Sequence, residues 1–481
     1  MMTQMCSSMV VFCSRGLLAL TFLPFTAFLH VANAEPSGPN FVVIMADDMG
    51  YGDLGCYGGQ SCRTPHLDRM AADGLRFTDF HSSGCVCSPT RAGLLTGRYQ
   101  QRAGVDGVIY AALNRNRHHG LQRDEVTFTE ILRQAGYMTG IAGKWHLGYE
   151  SQYNPIHHGF DEFHGYVSGN VDFHTHIDGA GFFDWWHQDN RVREEGYSTH
   201  LITKHACAFI ERAAELQKPF CLYVAHEAPH DPYQGPGDPP VRLPDKPGLQ
   251  YNHREPAHAA RAYAEMVHEM DDGVGRILET LEQKNLVANT LVLFFSDNGA
   301  TGPGSCGSLY GMKGTLWEGG HRVPAIAWWP GRIRPGVCKK LTCTLDVMPT
   351  LLDLAELEPQ ADSPMDGKSL VRQLERRDDQ EKSRILFWQY QKSASMRAGQ
   401  WKLIVNGASP PRTPQKRPWI RFERLLDNRY SVALFDLSAD PGERRNLAAT
   451  LPERVRSMTM TLEAWQRDVN TGATAQPEKQ E

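Results

Sequence analysis

The amino-acid sequence predicts an α/β fold, in which a large, mostly parallel β-sheet is sandwiched by helices and followed by a smaller C-terminal α+β domain. Residues 41–46 and several later runs of strand length are almost continuously apolar, as is typical of strands buried on both faces of a sheet. These runs alternate with segments of helical length, as in βαβ units. Polar clusters follow several of the runs, at the ends where ligands bind in parallel sheets.

The first predicted strand, residues 41–46, ends in two aspartates. A helix is predicted to follow from Thr64, because Thr is suited to an N-cap and Pro65 favours the first helical turn. This helix ends near Gly74, and residues 75–80 are predicted to form the next strand. Three helix–strand pairs and one further strand come after it: helices 126–135, 199–216 and 257–282, strands 138–142, 220–225 and 290–296, and strand 323–329.

The C-terminal part of the chain differs in composition, because residues 356–383 are mainly polar and charged. Three short strands are predicted beyond this stretch, at 385–389, 394–398 and 401–405, with a final helix at 452–469. We therefore predict a main domain over 35–380, a small domain with antiparallel strands and a helix over 381–470, and a mobile tail over 471–481, which has little to bury.

The first 34 residues have the features of a secretory signal peptide. Arg15 is their only charged residue, residues 17–31 are apolar, and residues 32–34 offer a small-residue cleavage site. The apolar run contains Pro24 and is short for a membrane-spanning helix, and no later segment is long enough to span a bilayer. The protein is predicted to be exported, without a membrane span after cleavage.

The net charge and the glycosylation motifs limit where the protein is predicted to reside and which classes of partner it is predicted to bind. Without residues 1–34, 49 basic residues stand against 55 acidic ones, a net charge near −6, which gives no general attraction for nucleic acid. Any recognition of an anion must therefore be local. The chain contains no Asn-x-Ser/Thr glycosylation site, which favours a bacterial periplasmic or secreted protein over an animal lysosomal one.

Nine cysteines remain beyond the predicted signal peptide. Disulfides are permitted in an exported protein, and Cys56 with Cys62 or Cys338 with Cys343 would close short loops, but connectivity is not determined by spacing. No double Cys-x-x-Cys spacing of a zinc site occurs.

Two oxygen-rich corners follow predicted strands. Asp47 and Asp48 follow the first strand, and Asp297 and Asn298 follow strand 290–296. Carboxylate and amide oxygens suit Ca²⁺ or Mg²⁺, whereas zinc prefers histidine or cysteine. Taken singly, each motif is weak, and Asn-Gly at 298–299 is also typical of a plain turn.

The Cys-Ser-Pro-Thr-Arg segment at 87–91 carries the main chemical prediction. A thiol ahead of a helix with Pro89 in its first turn is the structural interpretation. The Cys-x-Pro-x-Arg pattern, followed by Leu-Thr-Gly-Arg at 95–98, resembles the signature of type I sulfatases, in which the cysteine is oxidised to formylglycine after translation. Thr90 stands where that signature usually has Ser or Ala.

Further segments resemble segments of the same family and occur in the same order along the chain. The resemblance is to arylsulfatases and N-acetylgalactosamine sulfatases of the alkaline phosphatase superfamily. These are the two oxygen-rich corners, Gly-Lys-Trp-His-Leu-Gly at 143–148, Pro-His-Asp-Pro at 229–232, Lys-Gly-Thr at 313–315, and the C-terminal segments 434–437, 440–443 and 446–447. A lone Lys and His between glycines is more often structural. Taken together, the segments imply an alkaline-phosphatase-like fold and a sulfatase.

The resemblance implies a mechanism in which hydrated formylglycine at Cys87 attacks sulfur and forms a covalent sulfate intermediate. His230, with help from Lys313, protonates the leaving alcohol, and His146 takes a proton so that sulfate is expelled and the aldehyde re-forms. Arg91 orients the nucleophile, Lys144 and Lys313 bind sulfate, and a formylglycine-generating or sulfatase-maturating enzyme is an implied partner. One Ca²⁺, with Mg²⁺ as the alternative, is implied at Asp47, Asp48, Cys87, Asp297 and Asn298.

Substrate contacts are predicted in the segment 157–205, which is rich in histidine and aromatic residues. His174, Trp185 and Trp186 are candidates for contact with a sugar, with ordinary packing as the alternative. Ser168 and Asn170 are candidates for the sulfate contact that the family places after the Gly-Lys-x-His segment. His226 is expected to be buried and not to react.

The favoured function is hydrolysis of a sulfate ester on a sugar or polysaccharide. Two alternatives remain: a phosphonate or phosphate ester hydrolase of the same superfamily, and a carbohydrate-binding relative without catalysis. Galactan, glycosaminoglycan and fucan substrates are not separated by the sequence.

Overall fold

The computed structural model describes residues 38–244, 246, 248–360, 363–375, 384–406 and 432–478. The predicted signal peptide and the predicted boundary at 380/381 lie outside these residues. Sixteen strands are described: β1 (Asn40–Ala46), β2 (Leu75–Phe77), β3 (Phe80–His81), β4 (Met138–Lys144), β5 (Glu162–Tyr166), β6 (Trp186–His187), β7 (Asn190–Arg191), β8 (Phe220–Ala225), β9 (Thr290–Ser296), β10 (Ala325–Trp328), β11 (Gly336–Cys338), β12 (Thr342–Cys343), β13 (Ile385–Tyr390), β14 (Ser393–Ala398), β15 (Trp401–Asn406) and β16 (Val432–Asp436).

The α-helices pack on both faces of the main sheet and at the C-terminus. They are α1 (Pro65–Asp73), α2 (Cys87–Thr96), α3 (Phe128–Gln134), α4 (Ser198–Glu215), α5 (Pro256–Gln283), α6 (Glu318–His321), α7 (Val347–Leu354), α8 (Val371–Leu374) and α9 (Pro452–Asn470). Among the described residues, no helix has the length and apolarity to cross a membrane.

Ten strands form one sheet in the order β11-β2-β10-β9-β1-β8-β4-β5-β6-β7. Its centre, β9-β1-β8-β4-β5, is entirely parallel, whereas β10 runs antiparallel to both of its neighbours. Alternate residues of β1 enter opposite cores: Val43 packs with α2, α3 and α7, and Ile44 packs with α1, α4 and α5. The predicted sheet sandwiched by helices is confirmed.

The predicted strand 75–80 is wrong in its extent, because this stretch forms β2 and β3 in two different sheets. The break falls at Thr78 and Asp79. The Asp79 carboxylate contacts Arg397 of β14 at 3.1 Å and His81 at 2.9 Å, so this residue turns away from the main sheet to pair with charges elsewhere. β4 also extends two residues further than predicted and ends at Lys144.

The C-terminal antiparallel sheet, order β13-β14-β15-β16, packs against α9 through Trp388, Leu403, Leu434 and Trp465. The three predicted short strands are confirmed, and β16 is a fourth. Thr474 donates its amide to the Arg102 carbonyl at 2.8 Å, so the described part of the predicted mobile tail contacts the main body of the chain.

A buried group of charges joins the C-terminal sheet to the main sheet, and we call it the Glu318 network. Glu318 at the start of α6 accepts from Lys402 of β15 at 3.0 Å and from Arg397 at 3.2 Å. Lys402 also contacts Glu443 at 2.9 Å and His321 at 3.1 Å. Both Glu318 and Lys402 are completely buried, so each depends on the other for its charge.

Replacing Glu318 by glutamine is expected to lower the free energy of unfolding by about 3 kcal/mol, because Lys402 and Arg397 lose a buried counter-ion. Urea-induced unfolding followed by tryptophan fluorescence measures this change. Glu453→Gln is the matched control, since Glu453 and its partner Arg456 are 79% and 68% exposed and their pair is worth about 1 kcal/mol at most. Equal unfolding midpoints for the two variants would contradict the prediction.

All nine cysteines beyond residue 34 are described, and none of them forms a disulfide in this structure. The short loops of Cys56 with Cys62 and of Cys338 with Cys343 are therefore not closed by disulfides in this structure.

Candidate active site

The carboxyl ends of four neighbouring parallel strands meet at one place. Asp47 and Asp48 follow β1, Asp297 and Asn298 follow β9, His226 follows β8, and Lys144 ends β4. Helix α2 begins with Cys87 at the same place. This is the edge at which open α/β sheets bind ligands, and it brings together residues separated by up to about 250 positions.

The acidic corners interlock through hydrogen bonds. The Asp48 amide donates to Asp297 Oδ1 at 3.1 Å, and Asn298 Nδ2 donates to Asp48 Oδ1 at 2.7 Å. Thr301 Oγ donates to the other Asp48 oxygen at 3.1 Å. Asp48 has a left-handed backbone (φ 66°), an uncommon conformation for a non-glycine residue that turns the chain sharply after β1.

Each of the three carboxylates has its own cationic partner. Lys144 Nζ lies 2.5 Å from Asp47 Oδ2, and Lys313 Nζ lies 2.5 Å from Asp48 Oδ1. The Arg91 guanidinium donates to Asp297 Oδ2 at 3.0 Å. The cations therefore surround the acidic corners on several sides, as a site that binds an anionic group beside a metal requires.

The donor chemistry of the corners fits a hard cation. Asn298 Oδ1 is buried and accepts no hydrogen bond from the described part of the protein. Burial and the neighbouring Asp47 raise the pKa of Asp297 to about 6, so the charged form of this carboxylate is poorly stabilised in the cation-free fold. Burial opposes ionisation of Asp48 as well, but Lys313 and His230 hold its pKa well below the usual range. Three carboxylates and a free amide oxygen match Ca²⁺ or Mg²⁺.

Cys87 faces this cluster as the first residue of α2. Its Sγ lies 3.1 Å from Lys313 Nζ and 3.5 Å from Asp47 Oδ1, and the side chain is buried. Burial and the Asp47 charge raise the pKa of the thiol, so the thiol is protonated at neutral pH. An unmodified Cys87 therefore lacks the lowered pKa of a cysteine nucleophile.

Arg91 lies one helical turn after Cys87 and is completely buried. Besides Asp297, its guanidinium donates to the Lys144 carbonyl at 3.1 Å and to the Tyr223 hydroxyl at 3.3 Å. Arg91 thus ties α2 to β4, β8 and β9, and it fixes the position of Cys87 relative to the acidic corners.

His146 lies beside Lys144 and also has a left-handed backbone (φ 56°). Its Nε2 lies 2.9 Å from the Ile109 carbonyl, which can only accept, so Nε2 carries the proton. Nδ1 is buried and has no partner among the described residues. Burial, together with the Lys144 and Arg91 charges, holds the pKa of His146 well below its usual range, so Nδ1 has a free lone pair.

His230 lies on the open side of the cluster. Its Nδ1 donates to the Asp231 carbonyl at 2.5 Å, and its Nε2 lies 3.5 Å from Asp48 Oδ2. Burial and the Lys313 charge lower the pKa of His230 to about 4, although Asp48 opposes this shift. The side chains of His230 and Lys313 are each 15% exposed, while Arg91 and Lys144 are completely buried, so these two lie on the solvent-facing side of the cluster.

Several contacts have no signal in the sequence. Thr301 and Tyr223 bind Asp48 and Arg91, yet one follows a Gly-Ala pair and the other is an ordinary strand residue. Asp231 has a stronger signal, since it lies inside the Pro-His-Asp-Pro segment. Its carboxylate binds Arg254 at 2.6 and 2.7 Å and His253 at 2.9 Å, and its carbonyl orients His230.

His226 is completely buried, and neither ring nitrogen has a partner among the described residues. Burial lowers its pKa to about 3, so the ring is neutral. The residue follows β8 as an uncharged, buried side chain.

The predicted substrate residues divide into two groups. Ser168 and Asn170 lie near the site, because Asn170 Nδ2 donates to the Asp231 carbonyl at 2.8 Å and Ser168 Oγ donates to the Asn170 carbonyl at 3.0 Å. The other three predicted residues contact side chains that are not part of the site. His174 packs on Tyr197, Trp185 is completely buried against His176 and Tyr166, and Trp186 lies on β6, next to the edge strand β7, beneath Arg191. A fully buried Trp185 has no surface to offer a sugar.

Two protein-family models match the sequence of this chain. The family model described as Sulfatase matches residues 39–357, and a model described as N-sulphoglucosamine sulphohydrolase, C-terminal, matches residues 310–468. The second match overlaps the first across Lys313 and continues through the C-terminal sheet.

Characterised relatives include N-acetylgalactosamine-6-sulfatase from Canis lupus familiaris, which is 38% identical over 364 residues. That alignment covers 71% of this chain and 66% of the relative, slightly less than two thirds of its length. Arylsulfatase A from Bos taurus is 34% identical over 469 residues, covering 89% of this chain and 87% of the relative.

Solved structures resemble this chain over most of its length. A crystal structure of Ps i-CgsB is 27% identical and covers 91% of this chain and 94% of its own, with a TM-score of 0.76. The same protein in complex with k-i-k-neocarrahexaose is 26% identical over 92% of this chain and 95% of its own, with a TM-score of 0.77. The chain belongs to the sulfatase family.

Proposed function

We propose that the protein is a sulfuric ester hydrolase that removes sulfate from a sugar or polysaccharide, with Cys87 converted to formylglycine and one bound Ca²⁺. The observation that carries the proposal is the position of Cys87 Sγ, 3.1 Å from Lys313 Nζ and 3.5 Å from Asp47 Oδ1. The side chain at position 87 thus lies between the acidic corners and the cations that would bind sulfate.

The residues that would hold Ca²⁺ are Asp47, Asp48, Asp297 and Asn298, together with the side chain at position 87. A bound Ca²⁺ would supply positive charge next to the sulfuryl group. Lys144 and Lys313 would neutralise the charge that develops on the sulfuryl oxygens. Burial opposes the charge of Lys313, but Asp48 raises its pKa well above the usual range, so it stays cationic.

Formylglycine would supply, as its hydrate, two hydroxyls on one carbon, one to attack sulfur and one to drive release of sulfate. Arg91 would hold position 87 in place through its bonds to three strands. His146 would accept a proton at Nδ1, the ring nitrogen that has no partner in the described part of the chain.

His230 would protonate the leaving alcohol through Nε2 when the ring carries both protons, a form that the Asp48 charge favours and that burial and Lys313 oppose. We expect His230→Gln to lower kcat about 10²- to 10⁴-fold on an alkyl or sugar sulfate, whose leaving group needs a proton. The loss should be smaller on 4-nitrophenyl sulfate, because nitrophenolate leaves without protonation. Initial rates on both substrates measure the ratio, and His66→Gln, a half-exposed histidine on α1, is the control. Equal losses on the two substrates would rule out this role.

The class of substrate is supported by the names of the relatives, which include an N-acetylgalactosamine-6-sulfatase and a structure bound to an oligosaccharide. Sulfate release from a panel of glycosaminoglycan, galactan and fucan oligosaccharides tests it. Rates on 4-nitrophenyl sulfate and 4-nitrophenyl phosphate, compared directly, test the reaction. A faster rate on the phosphate would replace the proposal with a phosphoester hydrolase.

Conversion of Cys87 requires a partner, a formylglycine-generating or sulfatase-maturating enzyme. Peptide mass spectrometry across residues 85–98 of protein made with such an enzyme tests the conversion directly. An unmodified thiol there would remove formylglycine from the proposal.

Export to the periplasm or the medium is proposed from residues 1–34. N-terminal sequencing of protein from the native host, with Glu35 as the expected first residue, is the test.

A further inference from the structure

We propose that Arg117 and Phe182 form a second anion subsite beside the reaction centre, which binds a carboxylate or sulfate on the sugar next to the one that loses its sulfate. This inference rests on the proposed function and adds a class of substrate to it, an acidic oligosaccharide. No predicted site residue is part of the subsite.

The loop that carries Arg117 touches the reacting groups directly. The Ile109 carbonyl accepts from His146 Nε2 at 2.9 Å, and the Ile109 amide donates to Ser88 Oγ, next to Cys87, at 3.2 Å. The side chain of Asn116 braces the loop, because it accepts from the Tyr110 amide at 3.1 Å and donates to the Val108 carbonyl at 2.9 Å. The loop is therefore held against the site.

The Arg117 side chain is tied to this loop by one hydrogen bond among the described residues, in which Nη1 donates to the Ala111 carbonyl at 2.7 Å. Ala111 is only two residues beyond Ile109, and two residues span at most about 7 Å. The guanidinium therefore lies no more than about 13 Å from His146 Nε2, by addition of the two hydrogen bonds to that span. This is the reach of a neighbouring sugar in a bound oligosaccharide.

The Arg117 guanidinium has no ion pair with a carboxylate among the described residues. Its partners there are the Ala111 carbonyl and the rings of Tyr149 and Phe182. Asp178 is near, but its Oδ1 accepts from the amides of Ala180 and Phe182 at 2.9 and 2.8 Å. Guanidinium groups bind carboxylate and sulfate oxygens in pairs, and Arg117 keeps donors available for that purpose.

Aromatic rings hold the guanidinium and extend the surface. Its carbon lies 4.5 Å from the ring centre of Tyr149 and 5.4 Å from that of Phe182. Phe182 is 41% exposed, so part of its ring is available to stack on a sugar. The Tyr149 hydroxyl accepts from the Gly169 amide at 3.1 Å, and a Cβ on Gly169 would lie 2.8 Å from His146 Nε2. Contacts through Arg117, Tyr149 and Gly169 thus connect Phe182 to His146.

The test uses a chondroitin 6-sulfate hexasaccharide as an inhibitor of 4-nitrophenyl sulfate hydrolysis. Arg117→Gln keeps a donor for the Ala111 carbonyl and removes the charge, and we expect it to raise the inhibition constant about tenfold or more. Phe182→Ala should raise it independently. Arg123→Gln is the matched control, because Arg123 is exposed and bonds only His157 among the described residues. Desulfated and carboxyl-reduced hexasaccharides show which anion is recognised.

An inhibition constant within twofold of the parent value for Arg117→Gln would overturn the subsite, as would equal inhibition by a neutral hexasaccharide or no binding of the acidic one. Failure of the parent protein to hydrolyse 4-nitrophenyl sulfate would overturn the proposed function alone. In that case calorimetric affinities of the parent and Arg117→Gln for the same hexasaccharide decide on the subsite.

Discussion

Replacing Cys87 by alanine is expected to abolish sulfate ester hydrolysis, with kcat at least about a thousandfold below that of the parent. Position 87 is buried between Lys313 and Asp47, and no other nucleophilic side chain in the described part of the site contacts both. The acidic corners and the lysines remain, so the variant should still bind sulfate esters. Initial rates on 4-nitrophenyl sulfate, with direct binding by calorimetry, measure the two properties separately.

Cys87→Ser sharpens the same test, because a serine hydroxyl can attack sulfur but has no second hydroxyl from which to expel sulfate. We expect at most one turnover and a sulfated peptide over residues 87–98. Cys85→Ala is the matched control: Cys85 is a second buried cysteine two residues away, and its loss should leave activity near that of the parent. Near-parent activity in Cys87→Ala would end the proposed mechanism.

Removal of the divalent cation with EDTA is expected to lower kcat/KM at least about a hundredfold, and added Ca²⁺ should restore it. The unpaired Asn298 Oδ1 and the raised pKa of Asp297 are the structural reasons, since both are relieved by a cation. Asp297→Asn should lose Ca²⁺ binding. Asp272→Asn, in a separate cluster with His66, is the control, and loss of Ca²⁺ binding in that variant instead would relocate the ion.

The affinity for Ca²⁺ should also depend on pH in a defined direction. The pKa of Asp297 in the cation-free fold is raised from 3.8 to about 6, so a proton competes with the ion as the pH falls through about 6. Calorimetric affinities at pH 5 and pH 7.5 are expected to show weaker binding at the lower pH. Tighter binding at pH 5 would contradict the assignment of Asp297 as a ligand.

The sequence predicted the central sheet because β1 and β9 are buried on both faces and are therefore apolar at almost every position. It predicted the acidic corners because parallel strands end at one edge. Contacts made by backbone atoms have no such signal in the sequence. The Ile109 carbonyl fixes the tautomer of His146, and a residue of any type at position 109 would supply the same carbonyl. The break after β2 was equally hidden, since it depends on Arg397, 318 positions away.

Trp185 shows the same limit for side chains. A tryptophan in a histidine-rich segment suits either a sugar platform or a core, and only its burial against His176 distinguishes the two. Sequence spacing identified which residues reach the site, whereas the partners that orient them come from loops and strands remote in sequence.

The Glu318 network connects the C-terminal sheet to the segment that carries Lys313. Glu318 lies five residues after Lys313, and the segment between them is held at one end by the Gly314 amide on the Cys85 carbonyl. At the other end it is held by Lys402 and Arg397 from the C-terminal sheet. A chain that ends before residue 384 loses that second anchor. The main domain and the C-terminal sheet are consequently not interchangeable modules. A chimera of two relatives must exchange residues 313–322 together with their partners in the C-terminal sheet to keep Lys313 in position.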